Sequence, residues 1–101
     1  MLLAISRFRH VDAAFEAQAG EVIRFWLGRP GCLGAELVRN LDDPGLWAIL
    51  SRWESVGDYR RSFSGYDAKV VLTPVLSRAI DEPSAYLDPT ELGPNVPRGQ
   101  G

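Results

Sequence analysis

The spacing of apolar and polar residues changes several times along this chain, and each change marks an element. Leu2 to Phe8 is short, β-compatible and closed by the polar pair Arg9-His10, which predicts a first strand. From about Val11 to Leu27, the apolar residues Phe15, Ala19, Val22, Ile23 and Trp26 fall at steps of four, three, one and three. That spacing lines one face of a 3.6-residue helix. Asp12 near its start suits the positive end of the helix dipole. Gly20 inside a helix costs roughly 1 kcal/mol relative to alanine, which predicts close packing against a sheet there. Gly28-Arg29-Pro30-Gly31 then ends the helix.

Cys32 to Asn40 and Leu46 to Glu54 read as a second and third strand. The link Leu41-Asp42-Asp43-Pro44-Gly45 is rich in reversal-forming residues, so the pair is an antiparallel hairpin. The third strand carries Trp47, Ile49 and Trp53 on one face and Ala48 and Leu50 on the other. Apolar side chains on both faces predict a sheet covered on both sides, with helices accounting for one. Ser55 to Asp58 has capping-box spacing, with Asp58 replacing the usual glutamate, and the helix it opens places Tyr59 and Phe63 one turn apart. Gly65 interrupts it. A further helical stretch from about Asp67 to Ile80 contains Thr73-Pro74, read as an N-cap and first-turn proline, which predicts two short helices with a step. Ser84 to Leu87 is a short closing strand. From Asp88 the tail holds three prolines and three glycines in fourteen residues and has no core of its own; it is loose or lies across a neighbouring subunit. The reading is therefore one domain over residues 1–87 and a tail over 88–101.

Composition narrows the function classes. With 101 residues, 46% of them hydrophobic and 24% charged, this is an ordinary single globular domain. A net charge of -2 and a pI near 5.3 remove the basic field that nucleic-acid binding needs, and Arg60-Arg61 is a local pair only. No apolar run approaches the roughly 20 residues of a membrane span, and the apolar start is too short for a signal peptide. Cys32 stands alone, which excludes an intrachain disulfide and a cysteine-based zinc site. The cytoplasm is the default compartment. No phosphate loop, nucleophile elbow or metal-ligand cluster is present, so neither metal nor cofactor is expected.

The order strand, helix, hairpin, helix, strand is that of a ferredoxin-like β-α-β-β-α-β sandwich with a four-stranded antiparallel sheet. Three motifs make the likeness more specific. Pro30-Gly31-Cys32-Leu33-Gly34 approaches the second strand, Leu41-Asp42-Asp43-Pro44 forms the hairpin turn, and Trp53-Glu54-Ser55 leads to Tyr59 where the third strand meets the second helix. In that register the chain resembles the antibiotic biosynthesis monooxygenase family over about residues 2–87. The resemblance implies a homodimer, a dimeric α+β barrel in which two sheets face each other, with a pocket between each subunit's sheet and helices. It also implies oxidation of phenolic, quinol or polyketide-like aromatic substrates by O2 without a cofactor, although many relatives have no known reaction. In the polyketide oxygenases an asparagine precedes the strand-ending tryptophan by four residues; here that position is Ile49. In the haem-degrading relatives a tryptophan occupies the helix position that is Ser62 here, and a ligating histidine follows downstream. No histidine follows His10, so haem ligation by that route is not expected.

Each residue that could carry chemistry has two readings. Trp53 stacks on a planar substrate or fills the space between sheet and helices. Tyr59 donates a hydrogen bond to a ketone or phenolate oxygen, or occupies a plain amphipathic position. Phe63 and Tyr66 line a pocket or pack as core or lid. Arg52, on a central strand, needs solvent, a bound anion or a carboxylate, with Glu36 and Glu54 its natural partners. His10, the one imidazole, is a base for a phenol if it faces the pocket, or a solvated residue at the strand-helix junction. Catalysis is therefore expected of Tyr59 and His10, and substrate binding of Trp53, Phe63, Tyr66 and Arg52. The alternative is a non-catalytic dimeric small-molecule-binding or stress-response module using the same pocket. RNA binding, open to this strand order, fails because the third strand lacks the basic-aromatic pattern and the charge is negative.

Overall fold

Strand β1 (Leu2–Phe8) is followed at His10 by a left-handed backbone turn, φ 58. The chain in this computed structural model is described over residues 1–92. The left-handed turn and an Asp12 carboxylate accepting from the Ala14 N–H at 3.2 Å keep residues 10–14 out of the helix. Helix α1 is therefore Phe15–Leu27 and starts four residues later than the Val11 start that periodicity predicted. Its stripe of Phe15, Ala19, Val22 and Trp26 is buried as expected. Gly20 does not pack closely on the sheet: a Cβ there would meet only the end of Arg24, at 3.5 Å.

Strands β2 (Cys32–Arg39) and β3 (Trp47–Trp53) form the hairpin. Asn40 closes its loop by accepting from the Asp42 and Asp43 N–H groups at 2.9 and 2.8 Å. A register shift between Cys32 and Gly34 marks where β2 begins. Helix α2 (Val56–Arg61) is followed by α3 (Tyr66–Val71) and α4 (Thr73–Leu76). The step between the last two falls at Leu72, and Thr73 makes no capping bond, so Pro74 sits within α4 without the expected threonine cap. Strand β4 (Ala85–Leu87) closes the sheet in the order β2-β3-β1-β4, all neighbours antiparallel. This is the ferredoxin-like topology. In the tail, α5 (Pro89–Leu92) is a single turn whose Glu91 pairs with the terminal amine at 2.6 Å; residues 93–101 lie outside the described ones.

The period of two along β1 and β3 decides what is inside. Leu2, Ala4 and Phe8 meet Ile49, Ser51 and Trp53 on the helix-covered face, against α1 and Ala68, Leu72 and Val75. Burying each large apolar side chain contributes about 1.5–3 kcal/mol. Phe15 packs against Phe8 and Trp47 with ring centroids 5.0 and 5.8 Å away. On the opposite face Leu3, Ile5, Val38, Ala48 and Leu50 are half-buried, and no helix from α1 to α4 reaches them. No helix among the described residues is long and apolar enough to cross a membrane.

Candidate functional site

The shortness of β4 opens a cleft beside it. The strand pairs only with Leu2 to Ala4. Beyond that, the Ile5 N–H donates to the Ser84 carbonyl at 2.7 Å and the Ile80 N–H to the Arg7 carbonyl at 2.8 Å, while residues 81–83 leave the ladder. A cleft of about 390 Å³ opens there. Ser6, with the backbone of Ile5 beside it, forms its floor, Tyr59 and Phe63 one wall, and Leu76, Ala79 and Ile80 another, with Ser77, Asp81, Glu82 and Ser84 as its polar rim.

Tyr59 is placed by a chain of local causes. Ser55 caps α2, its hydroxyl oxygen accepting from the Asp58 N–H at 3.1 Å, and also donates to the Asp58 carboxylate at 2.9 Å. Arg61, 2.8 Å from that carboxylate, and Ser55 hold the Asp58 carboxyl below its ordinary value. At the other end of α2, the buried Ser62 hydroxyl donates to the Tyr59 carbonyl at 2.6 Å and accepts from the Trp26 indole N–H at 3.1 Å. The Tyr59 ring then stands edge-on to Trp53 at 5.9 Å and to Phe63 at 5.1 Å. Burial raises the Tyr59 hydroxyl above its usual pKa, with the Ser84 side chain opposing. At neutral pH it is therefore a protonated donor at the wall of the cleft. Tyr59 and Ser84 also bound a second cleft of about 390 Å³, on whose side Val56, Arg60 and Leu87 lie.

One rim residue, Glu82, is held by an ion pair to β1. Arg7 Nε and Nη2 donate to the two oxygens of Glu82 at 2.6 and 2.7 Å. Each partner is held in its charged form, the Glu82 carboxyl shifted downward and the Arg7 guanidinium upward, each because of the bond to the other.

Of the residues singled out in the sequence, Tyr59 and Phe63 share this cleft. Trp53 is 0% exposed, donates its indole N–H to the Ser51 hydroxyl at 2.9 Å and backs the Tyr59 ring without lining the cleft. The expected substrate-stacking position is thus enclosed by core. His10 is exposed and lines a different cleft, with Val11, Arg39 and Trp47. Tyr66 is 79% exposed and does not line the Tyr59 cleft. Arg52 lies on the open sheet face, its Nη1 3.6 Å from the Glu36 carboxylate, one of the two partners expected. Ile49, at the polyketide oxygenases' asparagine position, is buried in the core. The sequence pointed to Ser62 only as the position of the haem-degrading relatives' tryptophan, and did not single out Ser84, Asp81 or the Arg7–Glu82 pair. Among the described residues, no three of histidine, cysteine, aspartate and glutamate gather closely enough to hold a metal ion.

Comparison with known proteins bears on this geometry. The sequence model of the family described as antibiotic biosynthesis monooxygenase matches residues 9–69, more than half of the chain. Among solved structures, SnoaB, a cofactor-independent oxygenase from Streptomyces nogalater, superposes with a TM-score of 0.73 at 19% identity, covering 86% of this chain and 91% of its own. Rv0793 from Mycobacterium tuberculosis gives 0.68 at 17% identity over 87% and 93% of the two chains. A conserved protein from Methanosarcina mazei Go1 gives 0.68 at 18% identity over 84% and 89%. At such identities the likeness is one of fold. No curated protein matches the sequence significantly.

Proposed function

The chain belongs to the antibiotic biosynthesis monooxygenase family, and from that premise we propose that its Tyr59 cleft binds a phenolic, quinol or polyketide-like aromatic substrate and promotes its oxidation by O2 without a cofactor. The observation that supports this most is the Tyr59 hydroxyl. Burial raises its pKa further from neutrality, and it stands at the wall of a 390 Å³ cleft that Phe63 and Leu76 line with apolar surface. Such a donor stabilises negative charge developing on a ketone or phenolate oxygen. For an anthrone, the activated carbon loses a proton and the anion passes one electron to O2. The radical pair joins as a peroxide, and loss of water leaves the quinone. One substrate and one O2 give one quinone and one water. The substrate supplies the electrons; the protein supplies orientation, partial desolvation and the hydrogen bond.

His10 is not needed in this reading, since it lines another cleft; the proton leaves to solvent at the rim. The proposal extends to a homodimer, because Leu3, Ile5, Val38, Ala48 and Leu50 form an apolar sheet face that no helix from α1 to α4 covers. It also keeps the cytoplasm as the compartment. A second reading, a non-catalytic binding module, is favoured by Ile49 at the asparagine position and by the absence of an imidazole from the cleft lining. Oxygen uptake with anthrone or a quinol separates the two. The first reading expects turnover that falls about 10- to 100-fold in Tyr59→Phe, the order of a lost oxyanion donor. A ligand-induced rise in melting temperature without any O2 consumption establishes the second.

A further inference from the structure

We infer that the Tyr59 cleft selects aromatic phenols that carry no negative charge. The inference rests on the reading that this cleft is the ligand site and deepens it to a substrate class. No arginine or lysine among the described residues lines the cleft, whereas Asp81 and Glu82 both do. Arg7, which does not line the cleft, is engaged through two nitrogens by both oxygens of Glu82 at 2.6 and 2.7 Å. Arg60 lies in the neighbouring cleft, across the wall formed by Tyr59 and Ser84. Arg78, one residue beyond Ser77, is committed to Gln18 at 2.9 Å and Asp12 at 3.7 Å. Asp81 has no ion-pair partner among the described residues, so the cleft presents one uncompensated carboxylate to whatever enters.

A ligand bearing a carboxylate meets that charge with no cation to offset it and gives up hydration as well. A neutral catechol or hydroquinone fits the same groups. Its hydroxyls donate to Asp81 and accept from the Tyr59 O–H, and the serine hydroxyls of Ser6, Ser77 and Ser84 serve either way. Its ring lies against Phe63, Leu76 and Ala79.

The test is anaerobic calorimetric binding of three ring-matched probes at low salt: 4-ethylcatechol, 3,4-dihydroxyphenylacetate and dopamine. The neutral probe should bind about tenfold or more tightly than the carboxylate, with the ammonium probe at least as tight as the neutral one. Raising salt should narrow the spread. Asp81→Asn, at an exposed position, should shrink the penalty on the carboxylate. Glu82→Gln removes the other lining carboxylate and should likewise lessen the penalty on the carboxylate probe, with circular dichroism confirming that the variant is folded. Equal or tighter binding of the carboxylate by the unaltered protein overturns the inference. So does a ranking that neither variant moves, or the failure of all three probes to bind. Because O2 is absent, a correct ranking without aerobic turnover removes the oxygenase reading alone, and turnover without the ranking removes this one alone.

Discussion

The pair Arg7–Glu82 ties the strand that floors the cleft to the segment that rims it, and its contribution depends on pH. The Glu82 carboxyl is held low by Arg7, as Asp43 is by Arg9, Asp58 by Arg61 and Asp88 by Thr90. A depressed carboxyl stabilises the fold fully above its unfolded pKa, about 4 for these groups, and loses that contribution as pH falls through the lower folded value. Melting temperature should therefore drop on acidification below about pH 4, and less steeply in Glu82→Gln, which has one such group fewer. A Glu82→Gln curve parallel to that of the unaltered protein would show that the pair carries none of the effect. Tyr59 was legible in advance because the Trp53-Glu54-Ser55 motif leads to it at fixed spacing. The rim was not, since Arg7 and Glu82 are 75 residues apart and a pairing at that separation leaves no local pattern.

Among the elements, two glycines that look alike in the sequence behave oppositely. Gly20 sits in α1 with nothing but the flexible end of Arg24 beside it. Gly20→Ala should stabilise by about 0.5–1 kcal/mol and raise the melting temperature by a few degrees. Gly31 has φ +83, and a Cβ there would overlap the Asp58 side chain that α2 uses at its first turn. Gly31→Ala should cost about 1–2 kcal/mol for the left-handed backbone alone and more for the overlap. Thermal melts of both variants check the contrast, and equal shifts would refute it. Periodicity found the buried stripe of α1 because that stripe is what the core demands. It missed the helix start, which is set by the left-handed His10 and the Asp12 turn, and it placed the α3–α4 step one residue late because the Thr73 side chain does not cap.

For the whole molecule, the sheet face that helices α1 to α4 leave open decides the expected assembly. The alternation in β3 already showed apolar residues on both sides, and what covers the second side lies beyond a single chain's sequence pattern. If two copies meet there, Leu50→Asp should convert a dimer to the 11.2 kDa monomer in light scattering while leaving the fold intact, since Leu50 is outside the helix-covered core. A monomeric unaltered protein would remove the assembly. The pairing Leu2 with Trp53 through Phe8 with Trp47 has one more consequence. Sliding β3 by a single residue would carry the Arg52 guanidinium indoors and turn two indoles out into water. No near-miss alignment is tolerable, so the scaffold from which Tyr59 hangs assembles in one way or not at all.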